Sequence, residues 1–188
     1  MSAPPPAPGT PHAGGAGAPR LVELEEHHHA EVLELNARDV DKLAPMDEDR
    51  LRWIAARASA PLVVEDDDGV LGFCLAVPAG TDFDGRYYAW FGERYASFLY
   101  LDRIVVADRA RRRGVGTMLY DACEERARPL GRMLCEVNVV PMNATSMAFH
   151  GSRGYVEVDR IPVGPGSDPS SKVVATLAKE LGGHDAVA

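Results

Sequence analysis

What the chain lacks sets the first bounds. No stretch of its 188 residues approaches the ~20 consecutive apolar residues that a membrane span requires. The start of the chain has neither an early basic cluster nor an apolar core, so it does not read as a secretory signal, and a cytoplasmic location is expected. Cysteine is scarce: Cys74, Cys123 and Cys135 form no C-x-x-C pair, and their odd count argues against a closed disulfide framework. Each sits in an apolar segment and reads as a small buried hydrophobe. An excess of positive charge is also missing. The net charge of −8 disfavours general binding to nucleic acid or anionic membranes, which needs a basic footprint, while it suits a cationic acceptor such as an amine.

What is present suits one globular domain. The composition is 46% hydrophobic and 26% charged, ordinary for a chain of this length with a single core. Residues 1–19 differ: six prolines and four glycines leave too little apolar surface to offset ordering entropy, so a disordered tail is expected. The domain is expected over 20–182, with a flexible terminus at 183–188.

Hydrophobic periodicity orders the domain. Leu21–Leu24 reads as a strand. Val32, Leu35, Val40 and Leu43 recur at helical spacing over about 28–43, and Pro45 ends that run. Leu51, Ile54, Ala55 and Ala58 mark a second helix with Asp47 as N-cap. Leu62–Glu65 and Val70–Val77 are strands joined at an Asp68-Gly69 hairpin signal, so the acidic triplet Asp66–Asp68 reads as turn chemistry and not as a metal site. His27–His29 reads as a solvated helix start, because consecutive residues on a helix point in different directions.

Eight of the 13 aromatic residues fall between Phe83 and Tyr100, either walling an acceptor pocket or packing a core, with a short helix near Tyr88–Tyr95. Phe98–Val106 is the clearest strand. A long helix with Val115, Met118, Leu119 and Ala122 on its buried face follows and stops at Pro129 and Gly131. Leu134–Val140 (strand), Asn143–Gly151 (helix), Tyr155–Val163 and Lys172–Leu177 (strands, joined by Gly164–Ser171) complete the order β-α-α-β-β-β-α-β-α-β-β. Helices alternate with strands only in the second half, which predicts an α/β fold with a mixed sheet of six or seven strands.

The chemistry concentrates in Arg111-Arg112-Arg113-Gly114-Val115-Gly116-Thr117, between a strand and a helix. Amides at a helix N-terminus are unpaired, and the helix dipole favours an anion there. Glycine permits close approach, and arginines add charge-assisted contacts, so a phosphate or pyrophosphate site is expected. A P-loop is excluded because no Lys-Ser or Lys-Thr follows the glycines, and a dinucleotide fingerprint because Leu119 stands where its third glycine belongs.

The segment resembles motif A of the GNAT superfamily, Arg/Gln-x-x-Gly-x-Gly/Ala, with Arg111, Gly114 and Gly116 at its fixed positions. About 30 residues on, Asn143-x-x-Ser146-x-x-Phe149-His150-x-x-x-Gly154-Tyr155 resembles motif B. Leu101-Asp102-Arg103-Ile104-Val105-Val106 and Cys135-Glu136-Val137-Asn138 also look like strings from bacterial acetyltransferases of unsettled substrate. The resemblance spans roughly 20–181. It implies a GNAT-like fold and acetyl-CoA as co-substrate without a metal. The coenzyme would be held by the turn Arg111, Arg112, Arg113, Gly114, Val115, Gly116 and Thr117. The strand backbone at Ile104, Val105 and Val106 would pair with its arm, and Asn138, Asn143, Ser146, Phe149 and His150 would lie beside it.

For catalysis, the resemblance implies direct attack by an amine in a ternary complex. A backbone N–H near Ile104 or Val105 would polarise the thioester. The family commonly has tyrosine at His150 to protonate the leaving thiolate; histidine can donate a proton too, and His150 is alternatively a purely structural residue hydrogen-bonded beside the coenzyme. Some members carry a catalytic glutamate where Tyr100 stands. Asp102 and Glu136 are the substitute bases, Asp102 alternatively an ion-pair partner of Arg103 and Glu136 alternatively a solvated side chain. Partners are expected to be a small-molecule or peptide amine and a second copy of the chain, with no nucleic acid and no membrane. A non-catalytic acyl-CoA-binding domain is the rival reading.

Overall fold

The computed structural model describes residues 17–39, 43–163 and 172–182. The expected tail up to residue 16, the joining segment 164–171 and the terminus from residue 183 lie outside the described residues. So does Val40, in the first expected helix.

β1 (Arg20–Glu23) leads into α1 (His29–Arg38) and α2 (Glu48–Ala55). α1 ends at Arg38, short of the expected Leu43. Asp47 caps α2 as expected, its side chain accepting the Arg50 N–H at 2.8 Å. β2 (Ala60–Asp66) and β3 (Gly69–Pro78) form the hairpin, with Asp66 opposite Gly69. The two loop residues are therefore Asp67 and Asp68, and Gly69 supplies the positive φ of 103° that this turn needs. α3 (Arg86–Gly92), β4 (Leu99–Val106), α4 (Val115–Ala127), β5 (Arg132–Val140), α5 (Ala144–Ser152), β6 (Val156–Pro162) and β7 (Val173–Glu180) follow.

The seven strands form one mixed sheet in the order β1-β2-β3-β4-β5-β7-β6. Every neighbouring pair is antiparallel except β4 and β5, which are parallel and pair only at Leu99–Met133 and Tyr100–Leu134. Beyond those residues the two strands part. A register shift explains the bend: Leu75 faces Arg103 while Ala76 faces Leu101, so Asp102 is an extra residue on β4. A bulge of this kind bends its strand and disrupts the ladder locally. The sheet therefore opens at its middle, on the C-terminal side of the parallel pair.

The core lies on both sheet faces. Phe73, Phe91, Leu99, Leu119 and Met133 are fully buried. In the aromatic segment, Phe83, Tyr88, Phe91 and Phe98 are buried and pack in edge and tilted contacts with each other and Tyr100, so that stretch is mainly core. On α4 the buried positions are Val115, Leu119, Tyr120, Cys123 and Ala127; Met118 and Ala122 are only half-buried. The three cysteines are free and buried, with the Cys74 and Cys123 sulfurs 3.3 Å apart. Among the described residues no helix is long and apolar enough to cross a membrane.

The histidine run departs from expectation. His28 and His29 are buried, because the short turn before α1 folds them against Glu65 and Glu48. His27, His28 and Glu65 bring ligand-type atoms within 4.8 Å of one another. His28 Nδ1, however, accepts the Glu25 N–H at 2.9 Å, so its Nε2 carries the proton and donates to Glu65 at 3.2 Å. That ring has no lone pair left for a metal.

Candidate functional site

The gap between β4 and β5 opens into a cleft of about 490 Å³. Tyr100, Asp102 and Ile104 from β4, Glu136 and Asn138 from β5, Tyr120 from α4, and Asn143, Ser146 and His150 at α5 all line it. Expected site residues from three separate segments, β4, β5 and α5 with its cap, thus meet in one cavity, while the expected residues Val105, Val106, Phe149 and Arg111 to Thr117 do not line it.

The turn into α4 does not itself line this cleft, but it packs against β4 and α5, which do. Gly114 occupies the helix N-cap with φ 79°, a left-handed conformation that favours glycine, and no side chain caps the helix. The amides of the first turn, from Val115 to Thr117, are therefore left for an outside acceptor. Gly116 has another role. A Cβ built there would meet only Val106 and Phe149, at 3.9 and 4.0 Å, so internal packing does not require glycine. Its missing side chain leaves room between β4 and α5 for a ligand close to the backbone.

The arginines divide their work. Arg113 and Arg109 turn inward onto the buried Asp66 carboxylate at 3.0 and 3.2 Å, which brace the turn against the β2–β3 hairpin. Those contacts hold the Asp66 carboxyl below its ordinary range against the opposing effect of its desolvation. Arg111 pairs with Asp108 at the surface, and Arg112 is exposed with φ 64°. Of the triplet, Arg111 and Arg112 have their side chains exposed beside the helix N-terminus, while Arg113 is structural through Asp66.

Deeper in the cleft two carboxylates differ sharply. Asp102 pairs with Arg103 at 2.7 Å, and Arg103 also donates to Asn36 Oδ1 at 2.9 Å and the Ala44 carbonyl at 3.3 Å. That buried network ties α1 and the segment before α2 to β4. Glu136 accepts the Tyr100 hydroxyl on Oε1 at 3.1 Å, but its Oε2 is sealed from solvent and has no hydrogen-bond partner among the described residues. Burial, then the nearby Asp102 charge, pushes the Glu136 carboxyl up to about 8, against the pull of the Tyr100 hydrogen bond. A carboxyl with that midpoint and a free oxygen is suited to take a proton near neutral pH.

Tyr100 is buried, and burial raises its phenol well above the usual range, so it serves Glu136 as a donor. Cys135 lines the cleft too, but burial and the Glu136 charge raise its thiol well above the ordinary value, which disfavours a thiolate nucleophile.

On α5, Asn143 caps the helix through Ser146 N–H at 3.2 Å, and its own N–H donates to the Asn138 carbonyl. His150 Nδ1 lies 2.7 Å from the Ser146 carbonyl, and Nε2 lies 2.6 Å from the Tyr120 hydroxyl. Tyr120, Phe149 and Tyr155 enclose the ring in edge contacts, and this burial pulls the imidazole below its usual value. Tyr120 was not among the residues the sequence singles out. Its only sequence signal is its place on an amphipathic helix downstream of the glycine turn.

Of the strand positions, Ile104 lines the cleft, Val105 is buried with its carbonyl toward Gly72 of β3, and Val106 approaches Gly116.

The family model described as "Acetyltransferase (GNAT) family" matches residues 24–155. Comparison with curated protein sequences finds no match. Solved structures share the fold. Ard1 from Thermoplasma volcanium superposes with a TM-score of 0.67 at 17% identity, over 87% of this chain and 98% of its own. yncA from Salmonella typhimurium, a putative acetyltransferase solved with acetyl-CoA, gives 0.66 at 23% identity, over 90% and 98%. Naa20 from Chaetomium thermophilum, solved with a bisubstrate analogue, gives 0.67 at 18% identity, over 86% of each chain.

Proposed function

The chain belongs to the GNAT acetyltransferase family and is an acyltransferase, and from that premise we propose that it moves an acetyl group from acetyl-CoA to an amine by direct attack. The observation that carries this reading is an uncapped helix N-terminus packed beside β4 and α5, the two elements whose cleft also holds a buried carboxyl with an unpaired oxygen.

The residues take these parts. The first-turn amides from Val115 to Thr117, with Arg111 and Arg112 beside them, hold the coenzyme pyrophosphate. The glycine gap at Gly116 lets it approach, and the β4 edge left unpaired past Tyr100 is free to bond the pantetheine arm. A β4 amide near Ile104 polarises the thioester carbonyl. Glu136 takes the proton from the attacking amine, Tyr100 holds that carboxylate, and Asp102 raises its midpoint. The neighbours solved with acetyl-CoA and with a bisubstrate analogue support coenzyme and acceptor meeting in a fold of this shape.

Calorimetric titration of acetyl-CoA tests the reading. Micromolar binding is expected, and Gly116→Trp, which fills the gap beside Val106 and Phe149, is expected to abolish it. A folded native protein that binds no acetyl-CoA would refute the proposal. Binding without thiol release across a broad panel of amines would favour a non-catalytic coenzyme-binding domain.

A further inference from the structure

Direct attack on a thioester breaks the C–S bond and leaves the electron pair on the coenzyme sulfur, so a donor must face that sulfur. We propose that Tyr120 is this catalytic residue and that His150 is a positioning residue behind it; the proposal rests on the acetyl-transfer reading above.

Hydrogen-bond logic assigns the roles. The Ser146 carbonyl can only accept, so His150 Nδ1, 2.7 Å away, carries a proton. The ring is buried among three aromatic side chains and is neutral at neutral pH, which leaves Nε2 with a lone pair. The Tyr120 hydroxyl at 2.6 Å donates to it. Both ring nitrogens are thereby engaged, and the imidazole has no N–H to turn toward the cleft. The phenol does have a proton to turn, since a hydroxyl rotates about its C–O bond.

Placement supports the same division. Tyr120 lines the cleft together with Glu136 and Cys135 and lies on α4 five residues beyond Val115. The phenol is buried and stays protonated through the physiological range, which makes it a donor and not a base. On C–S cleavage the hydroxyl exchanges a neutral bond to His150 for a charge-assisted bond to the thiolate, the stronger of the two. His150 holds the phenol oxygen in place while the coenzyme is absent. The amine proton leaves through Glu136, and the sulfur takes its proton from solvent on release, so the overall proton count closes.

The test reads the bound thiol directly. Coenzyme A is added to the full chain, and the ultraviolet absorbance of its thiolate is followed against pH, as a difference from protein alone. In the native protein the bound thiol is expected to ionise at lower pH than free coenzyme A. Tyr120→Phe is expected to move that midpoint up by about one unit, a tenfold loss of acidity. It should also lower kcat about 10–100-fold while KM for acetyl-CoA changes less than about twofold. His150→Gln, which keeps the phenol but changes its anchor, should give a smaller shift in the same direction; it also serves should the first variant fail to fold. Tyr120→Phe with a native thiol titration would overturn the proposal, as would a full defect in His150→Gln beside none in Tyr120→Phe. In both cases coenzyme binding would leave the acetyl-transfer reading intact. No coenzyme A binding by the native protein would remove that reading and this proposal together.

Discussion

Replacing Asp102 by asparagine removes the charge that, after burial, most raises the Glu136 carboxyl. The sign is fixed by the chemistry. In the proposed mechanism the ionised carboxylate is the active base, so kcat is expected to rise with pH through the Glu136 midpoint. With that midpoint at about 8, roughly a tenth of the native carboxyl is ionised at pH 7 and roughly nine tenths at pH 9. Native kcat should therefore climb about tenfold across that interval. Asp102→Asn lowers the midpoint, and the released Arg103 charge pulls it further the same way. Burial remains, so the midpoint stays above the ordinary carboxylate range. The first unit of downward shift raises the rate near pH 6 about ninefold, and further shift adds less as the carboxyl nears full ionisation. The assay is thiol release from acetyl-CoA with one amine, read as the ratio of variant to native at each pH. The amine's own titration cancels in that ratio. Glu136→Gln should lose the pH limb and roughly 100-fold in kcat. A ratio that is flat in pH, or a Glu136→Gln protein that keeps the native limb, would refute the assignment of Glu136 as base.

Asp66→Asn should weaken the brace under the glycine turn, since that carboxylate holds both Arg109 and Arg113; a lower Tm and weaker acetyl-CoA binding, measured by thermal melting and calorimetry, are the expected pair. Phe91→Ala, at a fully buried aromatic position beside Phe98 and Tyr100, should cost about 3–5 kcal/mol in denaturant unfolding. Asn143→Ala removes the cap of α5, the helix that carries His150, and should cost about 1 kcal/mol; an unchanged midpoint of unfolding would mean the cap contributes nothing.

Much of this protein was legible in its sequence because local signals carry it. The glycine turn, the Asp47 cap and the β4 strand are set by neighbours in the chain, and the structure places them where they were expected. The family resemblance was legible for the same reason: its motifs are short and contiguous. The histidine run was misread because burial of His28 and His29 depends on Glu65 and Glu48, residues 37 and 19 positions away. The arginine triplet read as three equivalent charges until the fold directed Arg113 to Asp66.

Sequence by itself determined the class of fold, the family and the glycine turn proposed to meet the coenzyme, since these follow from local geometry and periodicity. Tertiary structure decided the chemistry of the cleft. Asp102 and Glu136 were equal candidates along the chain. They became an ion-paired carboxylate and a raised, half-unpaired one only when the β4 bulge opened the sheet and set Arg103 beside the first. Tyr120 and His150, thirty residues apart, acquired their shared proton in the same way. A side chain's acidity depends on the dielectric and the partners around it, and those are assembled from distant segments only on folding.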